Sequence, residues 1–153
     1  MKKIFFPVLI FALVLFCAAC GGEKLELSVS EAADELNSGI DFAEILSALS
    51  MDDVIALYGV DSDLVVDAAA YVSSGATAEE ISVWQAKDSD GAETIAEMIT
   101  TRMENQKNDY SSYKPEEVPK LENYMLRVQG EYVALCVTDD TDTAEGILTA
   151  LGF

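Results

Sequence analysis

Apolar residues run almost unbroken from Ile4 to Phe16, with Pro7 the one interruption, behind a basic start of Met1-Lys2-Lys3. A basic start, an apolar core of 13 residues and then small residues form the pattern of a secretory signal peptide. A helix crossing the hydrocarbon layer, about 30 Å thick, needs about 20 apolar residues, so a permanent span here would be short. From Ser28 the pattern becomes amphipathic. Ser28 and Glu31 have capping-box spacing ahead of Ala32, Ala33 and Leu36, with Asn37-Ser38-Gly39 as the stop. Asp41 and Glu44 predict a second helix carrying Phe42, Ile45, Leu46 and Leu49 at i, i+3, i+4 and i+7. Ser50 and Asp53 predict a third, carrying Met51, Val54, Ile55 and Tyr58 and ending at Gly59.

The pattern then changes. Leu64–Val72 is rich in Val and Ala, Ser73–Thr77 makes a loop, and Glu80–Ala86 with Ile81, Val83 and Trp84 predicts a second strand. Asp88-Ser89-Asp90-Gly91 supplies N-caps for the longest helix, whose Ala92, Ile95, Ala96, Ile99 and Met103 share one face; the pattern predicts an end near Asn108. Tyr110–Pro115 closes it, and Pro115–Glu122 predicts an extended or turn-rich connection. Tyr124–Gln129 and Tyr132–Thr138 flank Gly130 and predict an antiparallel hairpin. Thr141 or Thr143 caps a last helix through Ala144, Ile147, Leu148 and Leu151. The expected fold is α+β: short N-terminal helices, then β-β-α-β-β-α, with helices on one face of an antiparallel sheet.

Several segments together resemble a known family. Tyr58-Gly59-Val60-Asp61 precedes a hairpin ending Glu79-Glu80-Ile81-Ser82-Val83-Trp84, and the long helix carries Arg102-Met103-Glu104-Asn105-Gln106. Tyr113-Lys114-Pro115-Glu116-Glu117-Val118, Leu121-Glu122-Asn123 and Gly130-Glu131-Tyr132-Val133 follow. This set is similar to the domain of unknown function 4358 family, found in lipoproteins of Gram-positive anaerobes, over about residues 51–151. The resemblance implies one compact domain and a lipid anchor. It implies no activity and carries no catalytic residue.

The junction after the apolar core reads Cys17-Ala18-Ala19-Cys20-Gly21-Gly22 and resembles the bacterial lipobox, although Cys17 stands where leucine is usual. Cys20 is the expected acceptor: residues 1–19 would be cleaved, 20–27 would form a lipidated tether, and 28–153 one α+β domain. Two acyl chains suffice for stable anchoring at about 0.8 kcal/mol per buried methylene. The alternatives are an ordinary secreted protein or an uncleaved N-terminal anchor. The expected location is the extracytoplasmic face of the cell membrane.

Charge narrows the partners. The chain has 28 acidic and 9 basic residues and a formal charge of −19; losing residues 1–19 removes Lys2 and Lys3 and no acid, which gives −21. Such a surface repels nucleic acid and anionic headgroups. Solubility outside the cell accounts for the acidity most simply, a cationic partner or loosely held divalent cations more sharply. With no histidine, the commonest general base and transition-metal ligand are both missing. Cys136, the one cysteine beyond Cys20, has no disulfide partner and reads as a small buried hydrophobe.

Two constellations remain as candidate chemistry. Acidic groups at Asp61/Asp63, Asp88/Asp90 and Asp139, Asp140 and Asp142 with Glu145 lack the calcium-loop pattern and sit where capping is ordinary; Asp139, Asp140 and Asp142 are the strongest of them as cation ligands. Tyr110, Tyr113 and Trp84, with Tyr124 and Tyr132, form an aromatic set that is either core or a docking patch, Tyr110 and Tyr113 being the expected exposed members. The function these features favour is a tethered binding or interaction module without catalysis or cofactor, its partner an envelope protein or small ligand. The alternatives are a small-ligand or divalent-cation lipoprotein serving a transporter, and a carboxylate-dependent cell-wall hydrolase.

Overall fold

The computed structural model describes residues 25–153; Cys20 and the expected signal peptide lie outside them. The elements are α1 (Val29–Gly39), β1 (Ser47–Leu49), α2 (Met51–Tyr58), β2 (Val65–Val72), β3 (Glu80–Ala86), α3 (Ser89–Tyr113), α4 (Val118–Glu122), β4 (Met125–Gln129), β5 (Tyr132–Val137) and α5 (Thr141–Leu151), with single 3-10 turns at Ser62–Leu64 and Pro115–Glu117. The five strands form one sheet in the order β1-β2-β3-β5-β4, every pair antiparallel. The α+β fold with an antiparallel sheet is as the sequence predicts. Among the described residues no helix is long and apolar enough to cross a membrane.

Helices cover both faces of the sheet rather than one. Trp84 and Ala86 of β3, with Val133, Leu135 and Val137 of β5, pack against α2, α3 and α4. The alternate positions Ile81, Val83, Ala134 and Cys136 pack against α1 and α5. Successive strand residues point to opposite faces, so central strands that bury every position need cover on both sides. All six residues of β5 are buried, as are six of the seven in β3.

Local capping follows the sequence at α2 and at the start of α3, whereas α5 begins after Asp140 with no side-chain cap from Thr141 or Thr143. Ser50 Oγ accepts from the Asp53 N–H at 3.3 Å, Gly59 closes α2 at φ +66°, and Asp88 accepts from the Gly91 N–H at 2.8 Å. Ser28 precedes α1 but makes no side-chain cap.

Three elements differ from expectation. Residues 41–49 form an extended segment ending in β1, not a helix. The Ala43 N–H donates to Glu79, and the Glu44 carboxylate takes hydroxyls from Ser73, Ser74 and Thr77, so the segment is laid along the β2–β3 turn. Ile45, a member of the expected helical stripe, is 95% exposed. Helix α3 runs past Asn108 to Tyr113 because Tyr110 is buried, its hydroxyl donating to the Thr77 carbonyl. Pro115 then ends it, and the expected loop winds instead into a 3-10 turn and α4.

Candidate functional site

The β2–β3 turn gathers the buried ionic groups. Glu79, Glu80, Glu117 and Lys120 are all less than a tenth exposed, and each has partners. Glu80 lies on the face of β3 that meets α3, where Arg102 straddles its carboxylate: Nε to Oε1 at 3.0 Å and Nη2 to Oε2 at 2.6 Å. Gln106, one helical turn on, donates to Oε2 at 3.1 Å, and the Tyr58 hydroxyl donates to Oε1. The guanidinium lies 4.9 Å from the Tyr58 ring centroid, and Tyr58 meets Trp84 edge-on at 5.1 Å. Burial and then the Glu80 charge push the Tyr58 hydroxyl well above its ordinary range. Burial alone would lower the Arg102 pKa; the Glu80 contacts outweigh it and raise it.

A second knot is centred on Lys120. Its ammonium is 3.1 Å from Glu117, 3.2 Å from Glu79 and 3.4 Å from Asp139. Glu117 also accepts the Ala78 N–H at 2.8 Å. Burial would raise the Glu117 carboxyl, but that N–H and the Lys120 ammonium hold it below the ordinary carboxylate value. Charge-assisted bonds of this kind lock the turn to α3 and α4. Glu79 takes the Ala43 N–H, the Thr77 hydroxyl and the Lys120 ammonium, and Glu117 the Ala78 N–H and the same ammonium, while Asp139 stays largely exposed.

Beside these knots an open recess of about 260 Å³ is lined by Leu57, Ser73, Ser74, Arg102, Gln106 and Tyr110, among others. Gln106 Oε1 is buried there without a hydrogen-bond partner. Large apolar side chains ring the same turn. Ile45 is 95% exposed, Tyr113 60% and Leu57 39%, which makes three of the five exposed large hydrophobics among the described residues. The other two, Val66 and Val128, belong to the opposite end of the strands, where the N-terminal segment arrives. At that opposite end the Leu27 N–H donates to the Tyr132 hydroxyl at 3.3 Å, and Leu25 and Leu27 pack on the α1–α5 side.

The residues predicted from sequence fall differently. Trp84 is fully buried with its indole N–H on Ser82 Oγ, and Tyr110 is buried. Of the three proposed patch aromatics, only Tyr113 reaches the surface, stacked on Tyr110 at 4.8 Å. Trp84 sits on the α3 side of a strand covered on both faces, and Tyr110 is pinned by the turn carbonyl. The acidic run disperses: Asp139 joins Lys120, Asp140 lies 3.5 Å from the Asp41 N–H, and Asp142 opens α5. Among the described residues no three His, Cys, Asp or Glu side chains converge as a metal site. Cys136 is buried, and desolvation pushes its thiol up to about 12. Of the residues that hold the site together, Glu79, Glu80, Arg102, Gln106 and Glu117 were visible in the sequence only as parts of the family-like segments, and Lys120 fell between two of those segments.

The model of one protein family, described as Domain of unknown function (DUF4358), matches residues 40–138. No curated protein and no solved structure matches the chain.

Proposed function

The chain belongs to the domain of unknown function 4358 family, and from that premise we propose a lipid-anchored, extracytoplasmic and non-catalytic protein-interaction module. Cys20 carries the lipid, and the β2–β3 turn carries the binding surface. The observation behind this reading is the polarity of the domain. Leu25 and Leu27 enter at the Gln85 and Tyr132 end of the sheet, while the ionic knots and the exposed Ile45, Leu57 and Tyr113 lie at the Glu80 end. Five residue steps along β3 separate the two ends by about 17 Å. A tether at one end therefore presents the other to neighbours in the envelope. An apolar ring on a rigid, ion-paired support suits docking, whereas the engaged carboxylates and buried thiol suit no reaction step.

Two experiments test it. A Cys20→Ser precursor is expected to leave the detergent phase on partitioning; retention there would overturn the anchor. A photo-crosslinking side chain at Tyr113 is expected to capture a discrete envelope protein in cells, with Val66 as the matched control at the tether end. Equal capture from both positions, or none, would overturn the docking surface.

A further inference from the structure

The sheet has two edges, and they are defended unequally. Edge strands expose unpaired N–H and C=O groups, which proteins shield with charge, proline, bulges or short length. At one edge β4 carries Arg127, ion-paired to Glu145 of α5. At the other, β1 is Ser47-Ala48-Leu49, with neither charge nor proline, and Ser47 and Ala48 are small and exposed. The strand itself is kept short, at three residues. Two residues before it stands Ile45, the most exposed large hydrophobic residue of the described chain.

The chain segment that builds this edge carries charge of one sign. Between Lys24 and Lys87 the sequence holds thirteen acidic residues and no lysine or arginine. That stretch supplies α1, β1, α2, β2 and β3. Asp41 and Glu44 precede β1, and the exposed Asp52 and Asp53 follow it. A second copy of the chain would bring the same acidic edge and be repelled. A segment bearing lysine or arginine would be attracted.

The geometry points to strand addition at β1: an extended, basic and aliphatic segment of another protein pairs along Ser47–Leu49 as a sixth strand. Its main chain meets the open edge, one aliphatic side chain covers Ile45, and its cations face the exposed Asp41, Asp52 and Asp53. Main-chain pairing gives the direction of binding, and the side chains on either side give selectivity. Three residues of pairing make few hydrogen bonds, so the ion contacts and Ile45 carry much of the affinity, and binding weakens with salt. This rests on the interaction-module reading and names the partner's chemistry.

The test uses the mature chain carrying Cys20→Ser, labelled for NMR and titrated with a short peptide of alternating lysine and valine, capped at both ends. Saturable shifts are expected at residues 45–49 and at their β2 partners 70–72. The same peptide N-methylated at alternate residues keeps its charge but cannot pair, and is expected not to bind. A glutamate–valine peptide is likewise expected not to bind. Ile45→Ala should weaken binding about tenfold, the effect of losing one buried aliphatic contact. Binding that survives N-methylation, shifts centred on β4, equal binding of the acidic peptide, or no saturable shift would each overturn strand addition. If the peptide fails while Tyr113 still crosslinks a partner in cells, the interaction reading stands and only this mode of docking falls.

Discussion

Replacing Glu80 with glutamine keeps the side chain's volume and removes its charge, so the cost reports chiefly on the buried ion pair and its hydrogen bonds. Glu80 is 3% exposed and Arg102 18%, which places the pair largely out of water. Removing one partner of a buried pair costs about 3–5 kcal/mol, and partial access of Arg102 to solvent argues for the lower end, about 3 kcal/mol. The new amide also turns N–H groups toward the guanidinium, which can only donate. A domain with about 5–15 kcal/mol of stability would remain folded. With a urea slope of about 2 kcal/mol per molar, the midpoint should fall by about 1.5 M. Arg102→Met should cost a comparable amount, since it leaves a buried carboxylate with only Tyr58 and Gln106 as donors. The double variant has no unpaired charge, so its loss should fall short of the sum by about 2 kcal/mol or more. Urea melts of the four proteins decide it. A Glu80→Gln loss below about 1 kcal/mol, or strictly additive losses, would refute the claim that this pair clamps the turn to α3.

Glu117 gives a pH test: its folded pKa lies below 4.5, so its stabilisation is complete above that value and is lost as pH falls through the depressed folded pKa. The stability gap between wild type and Glu117→Gln, measured by urea melts, should be constant near neutrality and close in acid. Lys120 has the opposite sign: its folded pKa lies above 10.5, so its contribution is complete below 10.5 and lost as pH rises through the folded value. Cys136 should resist maleimide in the native chain and react on unfolding in urea, because burial keeps the thiol both protonated and inaccessible; rapid native labelling would contradict its placement. A fragment cut to residues 40–138 should bind a hydrophobic dye and aggregate while residues 25–153 stay soluble, since the cut removes α1 and α5 from the face bearing Ile81, Val83 and Cys136.

What the sequence revealed follows the range of each interaction. Ser50 with Asp53, Gly59 and Asp88 act within a few residues, and all three cap as their spacing predicts. The α+β class also follows from local periods. Residues 41–49 misled because Phe42, Ile45, Leu46 and Leu49 fit a helix. The contacts that hold the segment extended come from Ser73, Ser74, Thr77 and Glu79, some thirty or more residues away. The second helical layer was legible in principle, because Val133–Val137 is apolar on both parities and such a strand needs two covers. The site was hidden by abundance: with 28 acidic residues no single carboxylate stands out. The scarce cations were the better signal, and Arg102 and Lys120 organise the buried carboxylates.

Helix α5 sets a time as well as a place. A chain delivered N-terminus first, from ribosome or export channel, completes β3, β4 and β5 before Thr141–Leu151 has emerged. Until then Ile81, Val83, Ala134 and Cys136 have α1 as a neighbour but lack Ala144 and Leu148, the buried residues of α5. The nascent domain therefore keeps an adhesive face until α5 arrives to cover it. A stall or a nick just after Val137 would release a chain with every strand in hand and one side of its sheet half bare.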